Sequence, residues 1–175
     1  MDKIPVALLI GASSESLIAI AHAKKLGLKV VAFDINPAAP GLKEADISYN
    51  EDIANPNKII AILERDGLIP AVILPVPIGR CLNTIGALND YYKLDGFSFE
   101  MADICTDKLK FALALTGGGS GLQIKPIKNL RNAKFKLFRP NLDISEFKFP
   151  LIIKPRFGSG SKDVIAIKDA IELEN

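Results

Sequence analysis

Residues 6–34 read VALLIGASSESLIAIAHAKKLGLKVVAFD, and this stretch decides the fold class. It begins with a short, continuous apolar run, Val6–Ile10, and continues into an alanine-rich segment with helical spacing, Leu17–Leu26. A second apolar run, Lys29–Phe33, follows and is closed by Asp34. Both runs are apolar throughout, which is typical of parallel strands that helices cover on both faces. The stretch therefore predicts a strand, a helix and a parallel strand.

The next sixty residues repeat this alternation. Asn36-Pro37 and Pro40-Gly41 are turn signals, and Asn55 before Pro56 places a capping side chain ahead of a proline at the first helical position. The segments that follow are predicted as a helix, a buried strand and a helix: Lys58–Arg65, Ala71–Leu74 and Gly79–Leu88. Strands and helices at this spacing predict an α/β protein with a Rossmann-like, doubly wound parallel sheet.

The first turn raises the question of a dinucleotide site. Asp34 follows Gly11 at about the distance at which an acid meets a ribose hydroxyl in such sites. However, the turn has one of the three expected glycines, and Glu15 stands at the helix end where a pyrophosphate would bind. Gly11, Ser13 and Ser14 remain candidates for holding a small substrate anion. Simple capping of the helix by serine is the favoured alternative.

A second informative stretch, residues 149–167, reads FPLIIKPRFGSGSKDVIAI. Two β-branched runs, Leu151–Ile153 and Val164–Ile167, flank a loop of glycine, serine and cations, which predicts a strand, a flexible loop and a strand. Backbone N–H groups, serine hydroxyls and cationic side chains all suit phosphate oxygens. An ordinary hairpin with a polar tip is the alternative. The cations are Lys154, Arg156 and Lys162; the glycines and serines are Gly158, Gly160, Ser159 and Ser161.

Composition changes near residue 95. Ser98–Cys105 is predicted as a connection, and Thr106 as the cap of a helix that continues through Leu109–Leu115. Lys108 is out of place in a first helical turn unless an anionic partner accompanies it. Gly117–Gly121 is expected to be a flexible linker. Residues 122–148, basic and weakly periodic, are expected to form short strands and loops, and Asp169 to cap a final helix.

The composition excludes several classes. A chain of 175 residues with 49% hydrophobic and 24% charged residues is ordinary for a soluble globular protein, and a net charge of +2 without a basic block argues against nucleic acid as a partner. No apolar run approaches the roughly 20 residues of a membrane span. Cys81 and Cys105 are far apart, which favours buried thiols in a reducing, cytoplasmic setting. His22, the single histidine, lies among alanines, so no catalytic constellation and no metal-ligand set can be built.

Three features in this order resemble the ATP-grasp superfamily. They are the N-terminal α/β region, then Gly96-Phe-Ser-Phe-Glu100 running into Thr106-Asp107-Lys108, then the strand, lysine and glycine-rich loop of residues 149–161. The nearest branch is that of carbamoyl-phosphate synthase and biotin carboxylase, with its amino-acid ligase relatives. The resemblance covers essentially the whole chain.

The resemblance implies a pre-ATP-grasp domain at residues 1–95, which helps to bind the acceptor substrate, and the N-terminal part of an ATP-grasp domain at 96–175. It implies ATP and magnesium as cofactors, and a small carboxylate that is activated as an acyl phosphate for attack by an amine. Lys108 and Lys154 match the two lysines that contact ATP phosphates. The residues that match the loop over the phosphates are Gly158, Ser159, Gly160 and Ser161.

Two departures from the family pattern qualify this prediction. Asp163 stands where the family usually has glycine, which places a negative charge near the phosphates. The family's magnesium ligands belong to a later lobe, beyond residue 175. We therefore expect the N-terminal portion of a ligase that needs a C-terminal half for activity. We also expect a loop at 156–163 that is mobile without ligand, and self-association through uncovered sheet edges.

Two other functions stay open from the sequence. One is a nicotinamide-dependent Rossmann protein, which the missing glycines disfavour. The other is a non-catalytic regulatory or interaction module that keeps the fold without the activity.

Overall fold

The structure is a computed structural model that describes residues 4–74, 79–116, 134–138, 142–158 and 160–174. The chain divides into two compact units, Met1–Asp103 and Ile104–Asn175. The boundary predicted at residue 95 lies before this division. The expected linker Gly117–Gly121, residues 122–133 and 139–141 of the basic segment, and Ser159 lie outside the described residues.

A four-stranded parallel sheet forms the centre of the first unit. The strand order is β3-β2-β1-β4, so that β1 lies between β2 and β4. Leu8 of β1 is in register with Val31 on one side and Ile73 on the other. Within the described residues, β3 and β4 are the edge strands. The strands are β1 (Ile4–Ile10), β2 (Val30–Asp34), β3 (Ile47–Asn50) and β4 (Leu68–Leu74).

Alternating side chains of β1 supply two separate cores. Val6, Leu8 and Ile10 face one cluster, while Ala7 and Leu9 face the other, and all five are fully buried. Successive residues of a strand point to opposite faces of the sheet, so a strand covered on both faces reads as continuously apolar. The fold class predicted from the sequence, an α/β doubly wound sheet, is confirmed.

Helices cover both faces of this sheet. The first pair, α1 and α2, packs on the face of Ala7 and Leu9; the second pair, α3 and α4, packs on the opposite face. Helix α3 begins as predicted, because the Asn55 side chain accepts a hydrogen bond from the Lys58 N–H at 3.1 Å. The helices are α1 (Leu17–Lys25), α2 (Pro40–Glu44), α3 (Pro56–Arg65) and α4 (Leu82–Tyr92); short 3-10 turns, Ser14–Ser16 and Gly79–Cys81, precede α1 and α4.

Three local predictions were wrong and one strand was missed. Pro40-Gly41 begins a short helix rather than a turn, and β3 was not predicted. Ser98–Cys105 is not a connection, because α5 (Phe99–Thr106) occupies it and the Ser98 hydroxyl accepts from the Met101 N–H at 3.2 Å. Thr106 is the last residue of that helix and not the cap of the next.

The described residues of the second unit after α5 form a helix, a two-stranded hairpin and a terminal helical turn. Strands β5 (Leu151–Ile153) and β6 (Ile165–Ile167) pair antiparallel, which confirms the predicted strand, loop and strand. The helices are α6 (Lys108–Thr116) and α7 (Ala170–Glu174). The Asp169 carboxylate accepts from the Glu172 N–H at 3.0 Å, as expected for a cap. Residues 134–138 and 142–148 contain no regular strand, contrary to the prediction for that part of the segment.

None of the helices in the described ranges combines the length and the apolar character that crossing a bilayer requires.

Candidate functional site

The loop between β5 and β6 lies against the start of α6. The Lys108 ammonium donates a hydrogen bond to the Gly158 carbonyl at 2.7 Å, and the Lys108 backbone N–H donates to the Arg156 carbonyl at 3.2 Å. Lys108 is the first residue of α6, where backbone N–H groups have no partner inside the helix. The structure thus brings a lysine from one motif onto the glycine-rich loop of another, fifty residues away.

A buried carboxylate holds this arrangement. Asp107 is 1% exposed, and its Oδ1 atom accepts from the Leu109 and Lys110 N–H groups at 3.0 and 3.2 Å. Asp107 is therefore the cap of α6. The Arg156 guanidinium donates to both of its oxygens, with contacts of 2.8, 2.9 and 2.6 Å. The Arg156 guanidinium, helped by the two N–H donors and opposed by burial, holds the pKa of Asp107 below its ordinary value.

Arg156 thus differs in setting from the other cations of the loop. Sequence reasoning grouped it with Lys154 as a phosphate ligand, but in the structure its guanidinium forms a two-pronged pair with Asp107. The Arg156 Cζ atom also lies 5.2 Å from the centre of the Phe157 ring. Lys154 follows β5 directly and is exposed.

The loop itself has an unusual backbone. Gly158 and Gly160 have positive φ values of 105° and 68°, and Ser161 and Asp163 share this left-handed region at 55° and 57°. A Cβ atom added to either glycine would meet nothing within 4 Å, so in this structure the glycines serve the backbone conformation and leave open space beside the loop. Asp163 sits in the conformation that glycine adopts most readily, which gives a structural reason for glycine there in the resembled pattern.

Hydrogen bonds hold the backbone of the candidate substrate site at the end of β1. The Ala12 N–H donates to the Asp34 carboxylate at 2.6 Å, and the Gly41 N–H donates to the Ala12 carbonyl at 2.8 Å. A Cβ atom on Gly41 would lie 2.7 Å from the Ser16 hydroxyl and 2.9 Å from that carbonyl, so the approach needs glycine. Gly11, which precedes this contact, is buried with φ 87°.

Ser13 and Ser14 do not cap the helix. Both hydroxyls donate to the Glu15 carboxylate, at 2.5 and 3.4 Å, and neither Ser13 nor Ser16 makes a side-chain capping bond. The favoured interpretation of serine capping was wrong. The Ser13 hydroxyl lowers the pKa of Glu15, so a negative charge faces the position where a substrate anion was predicted.

Asp34 argues against nicotinamide binding. One of its carboxylate oxygens accepts from the Ala12 N–H and the other from the Asn36 N–H at 2.8 Å. The carboxylate is buried and fixes the two loops that follow β1 and β2. Asp34 is only 9% exposed, so a ribose hydroxyl has little access to the lone pairs that these two donors leave.

The described residues contain no group of three or more histidine, cysteine or acidic side chains that could hold a metal ion. Magnesium in nucleotide sites is commonly held by phosphates and one or two carboxylates. The residues that the structure describes therefore do not form a magnesium site without a bound nucleotide. The buried carboxylate at the loop, Asp107, is already paired with Arg156.

Sequence reasoning missed the role of Asp107. It quoted the residue within the Thr106-Asp107-Lys108 motif but assigned the cap to its neighbour. An acidic residue directly before a helix is a readable capping signal. Its pairing with Arg156, 49 residues away, has no signal in the local sequence.

Solved structures with the same fold belong to ATP-grasp enzymes. Phosphoribosylglycinamide synthetase from Anaerococcus prevotii matches 99% of this chain with a TM-score of 0.65 and 22% identity, and 41% of that enzyme is covered. L-amino acid ligase from Bacillus licheniformis matches 99% of the chain with a TM-score of 0.64 and 19% identity, again over 41% of its length.

A third match is the biotin carboxylase domain dimer of Hydrogenobacter thermophilus 2-oxoglutarate carboxylase, whose structure contains MgADP, ADP and bicarbonate. The match covers 99% of this chain and 39% of the carboxylase chain, with a TM-score of 0.63 and 15% identity. No protein-family model and no curated protein sequence matches the chain. The chain spans about two fifths of the length of the solved structures it resembles. The fold is that of the N-terminal part of ATP-grasp enzymes, which confirms the resemblance read from the sequence.

Proposed function

We propose that this chain supplies the phosphate-holding part of the nucleotide site in an ATP-dependent carboxylate–amine ligase. The observation that carries the proposal is the 2.7 Å hydrogen bond between the Lys108 ammonium and the Gly158 carbonyl. It joins Lys108 to the glycine-rich loop, and the resemblance assigns both of them to ATP phosphates. The ADP and MgADP in one structural neighbour support ATP and magnesium as the ligands.

The chemistry of the loop supports binding of a polyphosphate. An ammonium has three donors, so Lys108 can keep its bond to Gly158 and still donate to phosphate oxygens. Lys154 adds a second, exposed cation at the exit of β5. Transfer of a phosphoryl group depends mainly on positioning and charge neutralisation, to which lysines and backbone N–H groups contribute. Gly160, Ser161 and, outside the described residues, Ser159 complete the proposed phosphate loop.

The rest of the reaction is assigned by the resemblance alone. In the proposal, the γ-phosphoryl group of ATP passes to a small carboxylate, which gives an acyl phosphate and ADP; an amine then attacks the acyl carbon and displaces inorganic phosphate, as in enzymes of the carbamoyl-phosphate synthase type. Gly11, Ser13 and Ser14 are kept as the proposed substrate contact, on the condition that Glu15 turns away from the serines. Among the residues that the structure describes, the proposal assigns no catalytic side chain and no magnesium ligand.

The test is a calorimetric titration with Mg-ATP of the full chain and of Lys108→Gln and Lys154→Gln. Each substitution removes one charge-assisted contact to phosphate, so the Kd is expected to rise about 10- to 100-fold. Lys43→Gln is the matched control, because this lysine lies on α2 in the first unit and should leave the Kd unchanged. A wild-type chain that does not bind Mg-ATP would refute the proposal, and binding of NADH instead would favour the nicotinamide alternative.

A further inference from the structure

The start of α6 and residues 156–158 are joined at several points. Asp107 binds the Arg156 guanidinium through two oxygens, the Lys108 N–H donates to the Arg156 carbonyl, and the Lys108 ammonium donates to the Gly158 carbonyl. The two consecutive residues Asp107 and Lys108 thus hold both the side chain and the backbone of the loop's first turn. Any shift of Arg156 changes the position of Gly158 relative to the Lys108 ammonium.

Arg156 is poorly placed to act as an independent phosphate ligand. Asp107 neutralises its charge, and the carboxylate already occupies the Nε–Nη2 edge of the guanidinium, one of the edges that could hold a phosphate through two donors. Asp107 is 1% exposed, so it cannot reach a ligand in the open space beside the loop.

We propose that Asp107 and Arg156 form a positioning pair that sets the glycine-rich loop against Lys108, so that affinity for a polyphosphate depends on an ion pair that does not touch it. The proposal rests on the proposed function, since it concerns the same nucleotide site. It gives Arg156 a role that differs from direct phosphate binding, and the two roles predict opposite effects of one substitution.

That substitution is Asp107→Asn. Asparagine is as good a helix cap as aspartate, so the hydrogen bonds to the Leu109 and Lys110 N–H groups are kept while the charge that holds Arg156 is lost. If Arg156 bound phosphate directly, releasing it would leave affinity unchanged or increase it. If the pair positions the loop, affinity must fall.

The experiment measures Mg-ATP affinity by calorimetry on the full chain with Asp107→Asn, Arg156→Lys and the double variant. We expect each single substitution to raise the Kd about tenfold, the scale of one hydrogen bond to a charged group. Arg156→Lys keeps the charge but loses the two-pronged geometry. The Kd of the double variant is expected to be no higher than the higher of the two single-variant values, because both substitutions break the same interaction.

Asp169→Asn is the matched control, since Asp169 also caps a helix of the second unit and contacts none of the loop residues named above. Its Kd should equal that of the wild type. A second readout is amide exchange at Lys108, whose N–H donates to the Arg156 carbonyl and should exchange faster in Asp107→Asn. A general loss of folding would not single out this amide.

An unchanged or lower Kd for Asp107→Asn, or additive losses in the double variant, would overturn the positioning role while leaving the proposed function intact. A wild-type chain without Mg-ATP binding would remove both. The wild-type titration alone separates these two results.

Discussion

Replacing Arg156 by methionine should destabilise the protein more than replacing its partner Asp107 by asparagine. The asymmetry follows from exposure, because the Asp107 side chain is 1% exposed and the Arg156 side chain 36%. Arg156→Met leaves a buried carboxylate with its two backbone donors, and breaking a buried pair in this way costs about 3 kcal/mol, the lower end of the usual range. In Asp107→Asn, water can still reach the Arg156 guanidinium, and the asparagine side chain still accepts hydrogen bonds from the first N–H groups of α6. The free energy of unfolding is therefore expected to fall by about 1–2 kcal/mol.

The pH dependence has a definite sign. The folded-state pKa of Asp107 is lowered, chiefly by Arg156, so its stabilisation is fully present above the unfolded-state value of about 3.9 and is lost as the pH falls through the lowered folded value. Without Arg156, burial favours the protonated acid. The deficit of Arg156→Met should therefore be largest near neutral pH and shrink below about pH 4.

Urea unfolding followed by circular dichroism at 222 nm, at pH 7 and in steps down to pH 3.5, measures both effects. Amide exchange of residues 108–116 assigns the loss to α6. Arg65→Met is the control, because Arg65 forms an exposed pair with its neighbour Asp66 and should unfold as the wild type does. Equal costs for the two substitutions, or a deficit independent of pH, would refute the reasoning.

Three further predictions concern the fold and the loop. Gly86→Ala should destabilise by about 1–3 kcal/mol in urea despite the better helix propensity of alanine, since its Cβ would lie 2.6 Å from the backbone N of Phe99; a stabilised variant would contradict the packing of α4. Asn55→Ala should cost about 1 kcal/mol in the same assay through loss of the α3 cap, and no change would show that the cap is not formed in solution. Asp163→Gly should relieve a left-handed conformation and raise the thermal midpoint slightly, whereas Asp163→Asn, which removes the charge alone, should not; the opposite order would count against the loop backbone described above.

Much of the first unit could be predicted because its signals are local. The runs around Leu8 and Val31 are apolar throughout because helices cover both faces of the sheet. The capping asparagine and the proline of Asn55-Pro56 predict the start of α3. Helix α2 could not be predicted from its five residues. It is fixed by the Gly41 N–H bond to the Ala12 carbonyl, a contact across 29 residues of chain that local propensity does not encode.

In the candidate site, too, the local motifs could be predicted and the long-range contact could not. The lysine and glycine motifs can be recognised in the sequence because each is a short pattern whose residues suit phosphate binding. The first strand of the hairpin was predicted with its observed bounds, and the second strand to within one residue. The pairing of Asp107 with Arg156 is a product of tertiary folding. The sequence analysis counted Arg156 among the cations suited to phosphate, because no residue near it in the sequence indicates that it pairs with Asp107.

The central claim is that Lys108 and Lys154 lie at the phosphates of a bound nucleotide. The most direct measurement treats the full chain with an ATP analogue that carries an acyl phosphate and acylates lysines near the terminal phosphate, followed by peptide mass spectrometry. We predict acylation of Lys108 and Lys154 that excess Mg-ATP suppresses. Labelling that Mg-ATP does not suppress, or that falls on Lys24 and Lys43 of the first unit instead, would contradict the account.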